Sequence, residues 1–241
     1  MRIFIFFFLV LMSWTKSQAS AFWLELSKPT DNSNTVKVQV IYGYIDDLSI
    51  RHRTNGKEYE AIKDFEFKIR SNTGLELTMP LTKKEDCWEG TFSADANTYY
   101  QIIGINQHLP VIVRNEKDSI KNIRSIEYLY AEYGRSFLKQ ELPPLTDRPY
   151  IALIQSRSYF QVLPYIYGEP VTNGSTVRIF NPENWEKNIL LDPTGKTIFQ
   201  PTQKGLYIVR LDWYEDKSGS DRGIPFNRIR HRCNYCLTIY K

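Results

Sequence analysis

The chain has 241 residues, 42% hydrophobic, 14% aromatic and 24% charged, with a formal net charge of +4. That balance excludes a disordered polypeptide and supports a sizeable core. Without Arg2 and Lys16, which sit in an N-terminal export segment, 29 basic residues face 27 acidic ones. The resulting +2 argues against a nucleic-acid binder, which calls for clustered basic charge.

Arg2 gives a positive start, Ile3 to Met12 is an unbroken apolar run, and Ala19-Ser20-Ala21 has the small residues of a cleavage site. This is the pattern of a Sec-type signal peptide over residues 1–21, cut after Ala21 or after Ala19. The run is too short for a bilayer core of roughly 30 Å, and no later segment reaches that length, so no membrane span is expected after cleavage. No Cys stands at the cut to carry a lipid anchor. The expected location is periplasmic or secreted. Three cysteines are an odd number for an exported chain, so at most one internal disulfide can form.

From residue 22 onward the dominant period is two. Val36, Val38, Val40 and Tyr42 alternate with Thr35, Lys37 and Gln39, and Phe65, Phe67 and Ile69 alternate with Glu66 and Lys68. Similar runs at Leu75 to Met79, Trp88 to Phe92, Tyr99 to Ile105 and Leu109 to Val113 predict a first β-sandwich over 22–114. Within the connecting stretch 115–149, Ile126, Tyr128 and Tyr130 alternate like a strand. Ile123, Ile126, Tyr130, Tyr133 and Phe137 equally trace one helical face, which Gly134 weakens. An extended bridge and a short helix both remain open. Pro143-Pro144 and Leu145 to Pro149 mark a boundary, since proline continues neither regular element.

A second sandwich is expected over 150–241, with strands at Phe160 to Ile166, Ser175 to Phe180, Ile189 to Leu191, Thr197 to Gln200, Gly205 to Tyr214 and Arg228 to Tyr240. Asn173-Gly174, Asp192 to Gly195 and Lys204-Gly205 supply the turns. The predicted fold is thus all-β: two tandem antiparallel β-sandwich domains of Ig-like or transthyretin-like type.

Phe22-Trp23-Leu24-Glu25, followed by an alternating strand ending Tyr42-Gly43, resembles the start of a bacterial periplasmic family associated with nickel and cobalt uptake transporters. Gly168-Glu169-Pro170-Val171 with Gly174-Ser175-Thr176-Val177, the hairpin Asp192 to Phe199, and Gly205-Leu206-Tyr207 are similar to that family's C-terminal half. The hairpin and Gly-x-Tyr signature is shared with transthyretin-like and carboxypeptidase-regulatory-like sandwiches. The resemblance implies a β-sandwich fold, a nickel or cobalt ion as ligand, and an envelope transporter or receptor as partner. It also implies a histidine near the mature N-terminus, where this chain has Ser20. Serine is a poor substitute for the imidazole that such ions take.

The remaining metal candidates are His231 and Cys233, in the tight cluster His231 to Cys236. On a regular strand Ile229, His231, Cys233, Tyr235, Leu237 and Ile239 share one face, while Cys236 points the other way with Arg230, Arg232 and Asn234. The apolar members mark the first face as the core side, so the plainer reading is a core thiol and a hydrogen-bonded core histidine. A Cys233–Cys236 disulfide would need a bulge or a strand end, and Cys87 could reach either only if the domains met. His52, His108, Asp46-Asp47 and Glu215-Asp216 read as solvated or structural. The chain shows no G-x-S-x-G elbow, H-E-x-x-H or phosphate-binding glycine loop. These readings lead to a non-catalytic protein: either an accessory supporting nickel or cobalt uptake, or a metal-free interaction module of the envelope.

Overall fold

A computed structural model describes residues 20–27, 34–114, 122–134, 142, 145–171 and 174–240. The signal segment through residue 19, Pro143-Pro144 and Asn173 lie outside them. In chain order the strands begin with β1 (Ser20–Ser27), β2 (Thr35–Ile45), β3 (Arg51–Arg53), β4 (Glu66–Ser71), β5 (Glu76–Thr78), β6 (Thr82–Lys83) and β7 (Trp88–Ser93). They continue with β8 (Tyr100–Asn106), β9 (Ile123–Tyr133), β10 (Tyr150–Ser156), β11 (Tyr159–Ile166), β12 (Glu169–Pro170) and β13 (Thr176–Phe180). The last are β14 (Glu186–Leu190), β15 (Thr197–Phe199), β16 (Gly205–Glu215), β17 (Gly219–Asp221), β18 (Ile224–Phe226) and β19 (Arg228–Ile239). Among the described residues the only helix is the single turn Lys57–Glu60, continued by a 3-10 turn at Ala61–Asp64.

One-sided alternation makes the outer strands. In β2, Val36, Val38 and Val40 are fully buried while Lys37 is exposed. The strands that bury both faces make the centre. In β9, Ile126, Tyr128 and Tyr130 enter one core, and Leu129 and Ala131 enter a second. In β19, Cys233, Tyr235 and Leu237 enter the first and Cys236 the second. These two strands pair in parallel, Ile126 opposite His231 and Tyr128 opposite Cys233. They form the middle of an eight-stranded sheet ordered β14-β13-β16-β19-β9-β8-β4-β5.

Two smaller sheets supply the other halves of the two cores. The five-stranded sheet β1-β2-β7-β6, with β3 on β2, contributes Trp23, Leu24, Val36 and Val38 to the second core. The four-stranded sheet β10-β11-β12, with β15 on β11, contributes Ile151, Phe160 and Val162 to the first. Leu129, fully buried on the second side, illustrates the scale: burying such a side chain contributes roughly 2 kcal/mol.

The chain is all-β, but its layering differs from two tandem antiparallel sandwiches. The central sheet takes β4, β5 and β8 from 22–114, and β13, β14, β16 and β19 from 150–241. The stretch 115–149, expected to connect, supplies the strand between them, and its pairing with β19 is parallel. The physical reason is β9 itself, whose two apolar faces suit only a position covered on both sides. The helical alternative is overturned over Ile123–Tyr133, while Phe137 lies outside the described residues. Gly134 ends the strand at φ +106°, where a Cβ would stand 2.1 Å from the Thr98 carbonyl oxygen. The strand expected from Leu109 to Val113 shrinks to one bridge between Ile112 and Ile123, although Leu109 and Val111 are buried; Pro110 brings no N–H to a ladder.

Candidate functional site

The parity of β19 places His231 and Cys233 on one face, as expected, and Cys236 on the opposite one. The expectation that only the first face is the core side does not hold, because the five-stranded sheet buries the second. There the backbone N–H of Leu24 meets the Cys236 sulfur at 3.1 Å, and Asn234 donates to the Phe22 carbonyl oxygen at 3.1 Å. Cys87, Cys233 and Cys236 are all buried free thiols. Burial pushes the Cys236 thiol up to about 12 and the Cys233 thiol well above its ordinary range.

His231 is 2% exposed, and both its ring nitrogens are engaged. Nδ1 lies 3.0 Å from the Tyr128 hydroxyl and Nε2 lies 3.1 Å from Glu215 Oε2. Trp213, opposite it on β16, approaches the ring at 4.9 Å between centroids, Tyr128 stacks at 5.9 Å, and Tyr167 stands edge-on at 6.3 Å. Burial lowers the His231 pKa more than the Glu215 carboxylate raises it, so the ring is held neutral. Burial also raises the Tyr128 phenol, the reverse of what an activated nucleophile needs.

This donor set does not fit a transition ion. A thiolate ligand must lose a proton that burial holds on Cys233, and an imidazole ligand must free a nitrogen that Tyr128 or Glu215 now occupies. Among the described residues, no group of three or more His, Cys, Asp or Glu side chains gathers at one point. Ser20, where the resemblance implies a histidine, lies in β1 opposite Tyr44. The other candidates are structural. His52 is in β3 and not in a loop, bonded to Asp46 at 2.7 Å and stacked on Tyr44 at 5.1 Å. Asp46 also accepts from the Leu48 and Ile50 amides, and the His52 bond leads in holding its carboxyl below the usual range. The exposed His108 donates its backbone N–H to Asn106, and Asp216 pairs with Arg228 at 2.8 Å.

The opposite face of the sheet carries a charged row that sequence reasoning passed over. Arg178, Arg210, Asp212, Arg230, Arg232 and Glu127 come together across β13, β16, β19 and β9. Asp212 accepts from Arg178 and, at 2.6 Å, from Arg232. Burial works to raise the Asp212 pKa, but the guanidinium groups of Arg232 and Arg178 outweigh it and hold the carboxyl low. Glu127, 3% exposed, pairs with Arg230 at 3.6 Å, and burial raises its pKa against three nearby guanidiniums. Arg210, 4% exposed, gives its Nε–H to Asn234 at 2.7 Å, and burial lowers its pKa to about 9. The only trace of this row in the sequence is Arg and Asp at alternating positions of β16 and β19, which a solvated strand face would show equally.

No protein-family model matches the chain. No curated protein matches it either. Among solved structures, a DUF4785 family protein from Legionella pneumophila is similar at 14% identity, with a TM-score of 0.26. The match covers 82% of this chain and 52% of that one, so the chain spans about half the length of the structure it matches. None of these comparisons links the chain to nickel or cobalt transport.

Proposed function

We propose that this chain is a non-catalytic, metal-free β-sandwich binding module that works in the cell envelope, outside the cytoplasm. The export pattern of residues 1–21 supports the compartment. The observation that carries the rest is His231, whose two nitrogens are both held by protein groups, Tyr128 and Glu215. A histidine so bonded fixes the middle of the sheet and leaves no lone pair for an ion. The Tyr128-His231-Glu215 chain has the order of a proton relay, but its phenol is buried and its pKa raised, which supports a structural role.

Calorimetric titration and thermal-shift measurements with Ni²⁺, Co²⁺, Zn²⁺ and Cu²⁺ test this reading. Neither saturable heat nor a stabilising shift is expected with any ion. Stoichiometric, micromolar binding of Ni²⁺ or Co²⁺ that disappears in His231→Ala would restore the uptake-accessory reading.

A further inference from the structure

Where β3 of the five-stranded sheet meets β16 and β13 of the central sheet, two arginines converge on one small recess. Trp23, Gly43, Tyr44, Arg51, Phe180 and Arg210 line it, and no lining residue among those described is acidic. The two cations rest on aromatic faces, the Arg51 guanidinium 5.4 Å from the Trp23 ring centroid and that of Arg210 4.8 Å from Phe180. Neither forms an ion pair within 4.0 Å among the described residues. Arg51 Nη2 is buried without a hydrogen-bond partner.

Of the neighbouring carboxylates, Glu25 and Asp212 are engaged by other groups, and Glu127 lies beyond ion-pair distance of Arg210. Glu25 accepts from Trp23 Nε1 at 2.9 Å and from Arg53 at 2.7 Å. Asp212 holds Arg178 and Arg232. Two cations therefore line one partly buried recess with no carboxylate among its described lining residues, a state that favours an incoming anion. Burial leads in lowering the Arg210 pKa, with the Arg232 guanidinium adding to it and Asp212 and Glu127 opposing it.

Size and rim narrow the occupant. The cavity volume is about 20 Å³, space for one water-sized group. One oxygen of a carboxylate fits that space, and a sugar or nucleotide does not. The β2–β3 loop between the lining residues Ile45 and Arg51 and the β13–β14 turn that follows the lining residue Phe180 are tied by Asn184 Nδ2, which donates to the Ser49 carbonyl oxygen at 2.7 Å. That contact is flanked in sequence by three exposed apolar side chains, Leu48 at 79%, Ile50 at 50% and Trp185 at 69%. A free small anion would have no use for such a rim, whereas a Glu or Asp set among apolar residues on a peptide matches both the charge and the surface.

We infer that the Arg51–Arg210 recess receives an acidic side chain of a partner polypeptide whose neighbouring apolar residues lie on Leu48, Ile50 and Trp185. This rests on the reading of the chain as a binding module and names the chemistry of its partner. NMR titration of the purified full chain tests it, with acetyl-Leu-Glu-Phe-amide, the matching Gln peptide, acetate and inorganic phosphate as probes. The Glu peptide should move the Arg51 and Trp185 side-chain signals saturably and bind at least fivefold more tightly than the Gln peptide or acetate. Arg51→Gln should weaken the Glu peptide at least fivefold at an unchanged thermal midpoint, and Arg51→Lys should weaken it less. Leu48→Ser should weaken the peptide and leave acetate unaffected. Equal binding of Glu and Gln peptides, or no loss in Arg51→Gln, would overturn the inference. Acetate or phosphate binding as tightly as the Glu peptide would also overturn it, leaving a small-anion pocket. None of these outcomes depends on the metal titration, so the two readings fail separately.

Discussion

Asp212 sits between two guanidinium groups, and replacing it by Asn keeps the shape while removing the charge that both use. Its side chain is 14% exposed, with Arg232 at 13% and Arg178 at 29%. Breaking a buried pair from one side costs about 3–5 kcal/mol, because the remaining charge stays buried. Arg178 can turn partly to water and Glu127 remains near Arg232, so the low end applies, about 3 kcal/mol. In a chain of this length each kcal/mol lowers the midpoint by roughly 2–4 °C, which makes the expected drop roughly 6–12 °C in a circular dichroism melt at neutral pH. A triple replacement, Asp212→Leu with Arg178→Met and Arg232→Met, should recover most of it, since no unpaired charge is left behind. The pH dependence gives an independent check. The folded pKa of Asp212 lies below its unfolded value, so its contribution is full above about pH 4 and fades as the pH falls through the folded pKa. The gap between the two proteins should therefore close in acid. A midpoint for Asp212→Asn within about 2 °C of the parent would refute the view that this row is a buried, mutually dependent ion cluster.

Three further outcomes follow from named residues. Tyr128→Phe leaves His231 Nδ1 without its partner and should cost about 1–2 kcal/mol in urea unfolding. In the parent, the burial-lowered pKa of His231 means that its contribution is present above about pH 6.5 and lost as the pH falls through the folded value. An imidazole NMR titration should accordingly place His231 below the free histidine value, and a midpoint above about 6.5 would contradict the assignment. Gly43→Ala would set a Cβ 1.9 Å from the His52 carbonyl oxygen and 2.7 Å from the Trp23 ring. Lifting β3 to relieve that contact should cost about 2 kcal/mol, measured as a lowered urea midpoint.

What the sequence made legible was whatever one face decides. Val36, Val38 and Val40, and Phe67 and Ile69, alternate cleanly because the other side of their strands carries polar residues, and each became a strand. Strands covered on both sides carry no such contrast. Tyr150 to Leu153 are four consecutive buried residues of β10, and their lack of alternation left that strand out of the expected ones, which began at Phe160. Parity correctly separated Cys236 from Cys233, but parity names a side and not what covers it. Arg230 and Arg232 therefore looked like a solvated face although β1 and β2 lie over that side. The hydrogen-bonded core histidine was readable from the company of Ile229 and Cys233. Its partners were not: Tyr128 lies 103 positions away, and Glu215 read as a loop carboxylate.

The parallel pairing of Ile123–Tyr133 with Arg228–Ile239 carries a kinetic consequence. Its partners stand more than a hundred positions apart in sequence, so closing them requires a large chain loop and a late, entropically demanding step in assembly. Until Arg228–Ile239 arrives, the inner edge of the earlier strand stays open and both apolar faces around it lack their neighbour. A chain cut short before Arg228 would hence present an unpaired, two-sided sticky edge, and aggregation would replace any half-sized folded fragment.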